Sequence, residues 1–473
     1  MKLNSSLFLF FILLLSLYKS LKTEIDPDFF WYLKDAEYIL KYKKLPKENI
    51  YTFLPSKDWV AHSLGFEILL YFFYKNFKDK GVILFKLSTL ILLFSLIIII
   101  IYKKTNKILI FLILYLSAYT LIFWGTTLRP HIFTYIFSLL ILYILEKRKY
   151  FLITFLLPLW SFFHAGMTAG IGISFIYIIS EFLKGNFKKG LSVFSFTFTG
   201  ILLVFLINPY HFDYFLWIYS AFTQNIKIWS KYITEWESIF LPIFFEREIY
   251  YIISFLIMIF ILIIFTLSRE KKEIFHILLL MFIFYSAIKH VRNLPLFGII
   301  SAFILPPYSE KFFKFNLTFE KIEEERTFTI ILILLCTFIF LKILSSEKKL
   351  IIDKKFYPVK AVKFLKENFE EGNILCPSDR GGFIEFNLSP EFKISVDGRL
   401  SVPSHILEEH FKFWNFEINP FDFIKRYPTD FIITENKIAI KKILEQKFKK
   451  IYQDEYFSIF KIEKKITETY NKK

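Results

Sequence analysis

The chain has 473 residues, 55% of them hydrophobic and 21% aromatic, with only 14 Gly. Soluble domains run near about 45–50% apolar even with Gly counted. Here the apolar residues fall in blocks of roughly 16–22 without an acidic residue, the length that spans a hydrocarbon core of ~30 Å. These features exclude a soluble globular protein and a disordered one, and leave an α-helical polytopic membrane protein. Lys+Arg 60 against Asp+Glu 43 gives a net charge of +17. That charge sits in short clusters between apolar blocks, as topology signals do. No basic stripe is interleaved with a readable nucleic-acid module, so nucleic acid is not an expected partner.

In chain order, Lys2 followed by Leu7 to Leu17 reads as a retained first span, residues 5–21. Tyr18, Lys19 and Ser20 offer no small-x-small pattern for signal-peptide cleavage. The following loop opens with Glu24-Ile25-Asp26-Pro27-Asp28-Phe29-Phe30-Trp31-Tyr32. Apolar positions 29, 33, 36 and 40 then share one face, which predicts an amphipathic helix at the bilayer surface. Asp28 at its start is either the N-cap alone or a carboxylate held where membrane meets water, and the first role does not preclude the second.

Ser63 to Tyr74 contains Glu67 and is too short to cross, which predicts an interfacial or re-entrant helix. Further spans are expected at 81–102, 107–124, 130–145, 150–163, 167–183, 190–207, 249–268, 274–289, 293–307 and 328–344, about 11 in all with the first. Basic clusters at Lys103-Lys104 with Lys107, Lys147-Arg148-Lys149, Lys184 to Lys189, and Arg269 with Lys271-Lys272 lie between them. The positive-inside rule places all four in the cytoplasm. The N-terminus is then inside, while loops 22–80 and 208–248 and the tail 345–473 are outside. Gly166 and Gly170 offer a small-xxx-small face for close helix packing. Cys336 falls inside an apolar block and Cys376 far along the tail, so a bridge between them is not expected. The absence of an internal repeat argues against an inverted-repeat transporter.

The tail reads as an α/β domain. A helix over Ala361 to Phe369 follows Pro358, and strands are expected at Asn373–Cys376, Phe392–Val396, Asp430–Thr434 and near 456–462. Gly381-Gly382 opens a turn or helix, a helix covers 437–447, and Asp397-Gly398-Arg399 closes the second strand. No nucleotide fingerprint is present in it.

Polar residues gather toward one side of the expected spans. Of 8 His, five (His62, His131, His164, His211, His290) map to outer loops or outer helix ends. Arg129, Asn208, Glu235, Lys289 and Arg292 join them. Ionisable groups at membrane depth are costly and commonly line a cavity or functional site. Each residue also has a plainer reading. Arg129 and His131 could anchor at the interface or touch lipid head groups, and His164 could make a helix–helix hydrogen bond. Glu235-Trp236 could be an aromatic-belt anchor, and His290 and Arg292 could snorkel.

The order of these pieces resembles the GT-C superfamily, integral-membrane glycosyltransferases fed by polyprenyl-phosphate sugars, such as protein O-mannosyltransferases and aminoarabinose transferases. The resemblance is to a bacterial branch with Asp-Pro-Asp and aromatics in the first loop, here Asp26-Pro27-Asp28. A Lys/Gln-Asp-Trp-x-x-His-like stretch follows, here Lys57-Asp58-Trp59-Val60-Ala61-His62. Arg129-Pro130, His164-Ala165-Gly166, Asn208-Pro209, Glu235-Trp236 and Asp397-Gly398-Arg399 are similar as well. The acidic residue many GT-C enzymes carry in the second outer loop is replaced by Arg129-Pro130-His131, which leaves a divalent metal unsupported by motif.

The resemblance implies transfer of a sugar from a polyprenyl-phosphate donor to an acceptor glycan, lipid or protein, outside the bacterial inner membrane. Asp28, with Asp26 as second choice, would be general base. Arg129 with His131 or Arg292 would hold the leaving phosphate, and His62, His164, Glu235 and His290 would line the substrate site. Single displacement inverts the anomeric centre. Two readings of other classes stay open: a transporter or flippase of a lipid-linked substrate, and a non-catalytic assembly or sensor protein whose tail binds partners.

Overall fold

A chain in hydrocarbon must satisfy its own backbone hydrogen bonds, so long apolar runs become helices. The computed structural model describes residues 5–20, 25–56, 59–105, 107–240, 248–310, 350, 352–438 and 440–463. Its first part is helical: α1 (Ser5–Ser20), α2 (Phe29–Tyr42), α3 (Leu64–Lys104), α4 (Ile108–Ile122), α5 (His131–Glu146), α6 (Ile153–Phe163), α7 (Met167–Leu183) and α8 (Phe187–Ile207). After these come α9 (His211–Ser220), α10 (Ile226–Tyr232), α11 (Glu248–Leu267), α12 (Ile274–Lys289), α13 (Leu294–Ile304) and the short α14 (Pro306–Ser309).

Three described helices, Leu64–Lys104, Phe187–Ile207 and Ile249–Leu267, are each long and apolar enough to cross a membrane. Shorter apolar helices of 10–17 residues are Leu9–Tyr18, Ile108–Ile122, His131–Glu146, Tyr150–Phe163, Met167–Leu183, Ile274–Lys289 and Val291–Ile304. At 1.5 Å per residue, the longest of these covers about 26 Å, less than the ~30 Å core. The expectation of about 11 spans therefore meets three helices of full length, and its last member, 328–344, lies outside the described residues. α8 and α11 leave large apolar side chains exposed, among them Leu202, Leu206, Leu256 and Leu267, as lipid-facing helices do. The chain bends at Lys78, whose φ of 50° and ψ of −136° break α3 between the stretch 63–74 and the stretch 81–102.

The C-terminal part is a small sheet covered by helices. It contains α15 (Val359–Asn368), β1 (Gly372–Leu375), α16 (Ser378–Leu388), β2 (Phe392–Ile394), α17 (Ser404–Trp414), α18 (Pro420–Arg426), β3 (Phe431–Glu435), α19 (Ile440–Lys447), β4 (Lys449–Gln453) and β5 (Phe457–Lys461). The strand order is β2-β1-β3-β5-β4. β2, β1 and β3 are parallel, with Gly372 opposite Phe392 and Ile374 opposite Phe431. β5 runs antiparallel to β3 and β4. Parallel strands need crossovers, which α16 and the α17–α18 pair supply.

The loop between α1 and α3 is built into this sheet. Thr52 bridges Ile394 in parallel, Phe53 N donates to Ile394 O at 3.0 Å, and Ile394 N donates to Tyr51 O at 2.9 Å. Residues 51–53 thus extend the sheet beyond β2. α2 lies between α16 and α3, and its first two turns are buried nearly all round, Phe29 to Leu33 together with Asp35 and Ala36. A single apolar stripe at the bilayer surface was expected of it. The C-terminal domain accounts for the second buried side, because Phe30 packs edge-on against Phe383 and Tyr357.

At the far ends of the helices the basic clusters meet. Lys104 pairs with Glu146 and donates to Phe303 O at 3.0 Å, and Lys184 bridges Glu181 and Glu273 at 2.8 and 3.0 Å. The bundle therefore has a basic end and, opposite it, an end capped by the first loop and the C-terminal domain.

Candidate active site

The capped end is organised by the turn before α2. Pro27 stiffens the chain between two acids, and Asp26 Oδ1 accepts from the Asp28 N–H at 3.1 Å. Asp28 stands at the N-cap position of α2, yet its side chain makes no capping hydrogen bond. Its Oδ1 instead accepts from Trp31 Nε1 at 3.0 Å, one helical turn on. The carboxylate is spent on something other than helix capping.

Arg129, in the short turn between α4 and α5, collects three carboxylates. Its Nε donates to Asp26 Oδ2 at 2.8 Å, its Nη1 to Glu235 Oε2 at 3.1 Å, and its Nη2 lies 3.4 Å from Asp28 Oδ2. Glu235, on a tight turn after α10, reaches Arg292 Nη1 with its other oxygen at 3.4 Å. The Arg292 guanidinium stacks 4.0 Å over the Trp236 ring. Asp26, Asp28, Arg129, Glu235 and Arg292 are therefore one connected chain of charge drawn from four distant parts of the sequence.

Burial raises the Asp28 carboxyl to about 6 against the opposing pull of Arg129, with Asp26 adding to the rise. Its side chain is still 17% exposed, so the buried acid remains reachable. Burial also pushes the Glu235 carboxyl up, but Arg292 and Arg129 outweigh it and hold that carboxyl below its usual range. Glu235 stays ionised where Asp28 takes up a proton near pH 6.

The histidines form the neighbouring wall. His164 Nδ1 accepts from the Gly166 N–H at 3.1 Å and faces Thr134 Oγ1 at 2.7 Å, which leaves the ring proton on Nε2. A Cβ at Gly166 would stand 2.0 Å from Thr134 Oγ1, so only Gly lets α7 start this close to α5. His62 stacks on Trp217 with ring centroids 4.4 Å apart and lies 6.4 Å from His164. Burial lowers His62 to about 4 and, with His62, His131 and Arg292 nearby, lowers His164 strongly, so both rings are neutral. His131 Nε2 donates to Gly125 O at 2.9 Å, and His290 Nδ1 donates to Trp236 O at 2.6 Å. His290 thus braces the Glu235-Trp236 turn. His211 is apart from this group, with Nδ1 on Phe205 O at 3.0 Å.

Of the stretch 57–62, Lys57 and Asp58 lie outside the described residues, whereas Trp59 donates through Nε1 to Asp35 Oδ2 at 3.1 Å. Asp35 leads to a second charged knot that sequence reading did not assemble. Arg399 donates through Nη1 to Asn49 Oδ1 and Asp397 Oδ2, both at 2.9 Å. Its Nη2 donates to Glu385 Oε1 at 2.6 Å and lies 3.3 Å from Asp35 Oδ1. The side chain is 1% exposed. Asp35 lies off the apolar face expected of α2, and neither it nor Asn49 or Glu385 carries a sequence signal for this knot.

Among the described residues, no group of three or more His, Cys, Asp or Glu is arranged to hold a metal ion. The carboxylates that converge do so on guanidiniums, Asp26, Asp28 and Glu235 on Arg129 and Asp35, Glu385 and Asp397 on Arg399. The residues present thus supply a cation at the centre of each acidic set.

The sequence matches no family model and no curated protein. The fold does match solved structures of the Archaeoglobus fulgidus oligosaccharyltransferase. With the apo enzyme the TM-score is 0.55 at 10% identity, covering 90% of this chain and 69% of that one. With the same organism's archaeal oligosaccharyltransferase AglB, bound to an inhibitory peptide and a dolichol-phosphate, it is 0.54 at 10% identity, covering 93% and 70%. With the form tethered to an acceptor peptide carrying the NVT sequon it is 0.52 at 11% identity, covering 90% and 69%. The chain shares the fold of these structures: a largely helical part joined to a small C-terminal sheet domain.

Proposed function

We propose that the protein is a membrane glycosyltransferase that moves a sugar from a polyprenyl-phosphate donor to an acceptor at the extracytoplasmic face of a bacterial inner membrane. In this reading about 11 spans carry the chain across, the N-terminus and the basic end face the cytoplasm, and the tail from about 345 lies outside with the first loop. The observation that carries the proposal is the Asp28 carboxylate, part-exposed, raised in basicity by burial and set 3.4 Å from the Arg129 guanidinium. The fold neighbour in complex with a dolichol-phosphate supports a lipid-phosphate leaving group.

The acceptor hydroxyl would attack the anomeric carbon while its proton passes to Asp28. The bond from that carbon to the phosphate oxygen breaks, and its electron pair leaves with the lipid phosphate. The centre inverts. A base titrating near 6 is ionised at neutral pH and retains more proton affinity than an ordinary carboxylate.

Arg129 spends all three guanidinium nitrogens on Asp26, Asp28 and Glu235, so its share is to gather the acids and neutralise them. Arg292 engages one nitrogen, Nη1, with Glu235 and presents its remaining N–H groups for a phosphate. His164, with its proton on Nε2, and His62 are neutral hydrogen-bonding groups for the sugar or the phosphate. Asp26 is the second-choice base; its engagement with Arg129 Nε and with the Asp28 N–H favours a supporting part.

The test is turnover of radiolabelled undecaprenyl-phosphate hexoses and pentoses in native membranes, read as loss of label from the lipid. Asp28→Asn is expected to insert normally and to lose roughly 10²–10⁴-fold in rate. Full activity in Asp28→Asn would remove Asp28 from the mechanism. Label that crosses vesicles intact, with no transfer by the wild type, would replace the transferase with a flippase.

A further inference from the structure

The Asp397-Gly398-Arg399 turn belongs to the C-terminal domain, yet it touches the acid at the start of the first loop. A Cβ built on Gly398 would stand 2.0 Å from Asp28 Oδ1 and 2.8 Å from Trp31 Nε1. The backbone of Gly398 therefore closes over the same oxygen that accepts the Trp31 hydrogen bond. The other oxygen, Oδ2, is turned toward Arg129. The space at Gly398, rather than its φ, is what demands a residue without a side chain.

The turn has no freedom to withdraw. Arg399 N donates to Asp397 Oδ1 at 2.8 Å, and the Arg399 guanidinium ties Asp35 of α2, Asn49 of the first loop and Glu385 of α16 to Asp397. Thr52 Oγ1 donates to Ser395 O at 2.6 Å just before it. Gly398 is thus held against Asp28 by bonds that all bypass Asp28 itself.

We propose that Gly398 is a positioning residue: together with Trp31 it occupies Asp28 Oδ1, so that only Oδ2 can take the acceptor's proton. The inference rests on the reading of Asp28 as general base. It gives the C-terminal domain a part in the chemistry beyond any binding of acceptor. Near-attack geometry is exacting, and a displacement of about 1 Å can cost ~10²-fold in rate.

Gly398→Ala places a methyl 2.0 Å from Oδ1, well inside contact distance, so the carboxylate must rotate or shift. The expected result, on labelled undecaprenyl-phosphate sugar in native membranes, is a kcat lower by ~10²-fold. The KM for the donor stays at its wild-type value, because Gly398 makes no contact with Arg292, the residue proposed to hold the phosphate. A wild-type kcat in Gly398→Ala overturns the proposal, as does a rise in donor KM with kcat intact. If the methyl prevents folding, Trp31→Phe carries the test by removing the hydrogen bond to Oδ1 while leaving Gly398 in place. Unchanged kcat there overturns the assignment, and a fall in kcat at constant donor KM supports it. Inactive Asp28→Asn beside fully active Gly398→Ala refutes the positioning alone, whereas active Asp28→Asn refutes the base.

Discussion

Arg129 and Glu235 lie 106 residues apart in sequence and meet through a 3.1 Å hydrogen bond. Glu235 is also the bridge to Arg292, so one carboxylate keeps two guanidiniums from facing each other unscreened.

Neutralising that bridge has a signed consequence. The negative charge of Glu235 contributes to raising Asp28, while Arg129 lowers it. Glu235→Gln removes the first and leaves Arg129 free to draw closer to Asp28. In the wild type, turnover is expected to fall as pH drops through about 6, where Asp28 takes up its proton. In Glu235→Gln that acid limb moves to lower pH. A pH–rate profile of the two proteins checks it, and an unshifted or upward-shifted limb contradicts it.

Arg292 should report on the donor rather than on the base. Hydrogen bonds to charged groups contribute about 1.5–3 kcal/mol, which corresponds to roughly 10–100-fold in binding. Arg292→Gln is therefore expected to raise the donor KM by that factor with a smaller change in kcat. Kinetics over a range of donor concentrations separate the two effects.

The Arg399 knot predicts stability. Arg399→Met leaves the Asp35, Glu385 and Asp397 carboxylates buried without their shared cation, and breaking such a network by one partner costs about 3–5 kcal/mol. The wild-type knot is itself pH-dependent. Burial, opposed by Arg399, raises Asp35 from 3.8 to about 6, so the folded state binds more protons than the unfolded state within that window. This contribution is fully present below pH 3.8 and lost as pH rises through about 6. Denaturant midpoints measured across that range should show the slope, and Asp35→Asn should flatten it.

Accessibility tests the proposed sidedness. Cys376 is fully buried and its thiol is pushed up to about 12 by that burial, so native protein should resist thiol reagents and react only after denaturation. Lys363 on α15 is 74% exposed. A Lys363→Cys variant in spheroplasts should react with a membrane-impermeant maleimide before lysis. Reaction only after lysis would put the C-terminal domain in the cytoplasm.

Much of the helical part is legible in the sequence because lipid imposes one rule on the backbone, and apolar runs record it. The runs 167–183 and 274–289 coincide with α7 and α12. In the tail, β1, β3 and β5 lie where buried apolar runs point, whereas α17, α18 and β4 were not anticipated, although α17 buries Ile406, Leu407, His410 and Phe413 at helical spacing. β4 is a half-exposed edge strand, Lys449 to Gln453, whose lysines mask its alternation. The charged residues at the capped end could be grouped by expected depth in the membrane, but not paired. Which carboxylate meets which guanidinium depends on turns such as 123–130 and 233–237, whose geometry no periodicity encodes. That Arg129 is saturated by acids while Arg292 keeps N–H groups to offer follows only from coordinates. The same holds for Asn49 and Glu385, drawn to Arg399 from elements with no local reason to be neighbours.

The strand-like segment 51–53 has a consequence for biogenesis. It is synthesised early and emerges among the first residues after α1, yet its partner Ile394 is translated some hundreds of residues later. The segment must wait unpaired while the intervening helices are made, and it closes onto the sheet only after β2 has been translated. A chain released before β2 would carry α1 to α14 and still lack the Gly398 turn over Asp28, so the order of synthesis leaves the proposed site open until the C-terminal domain has folded.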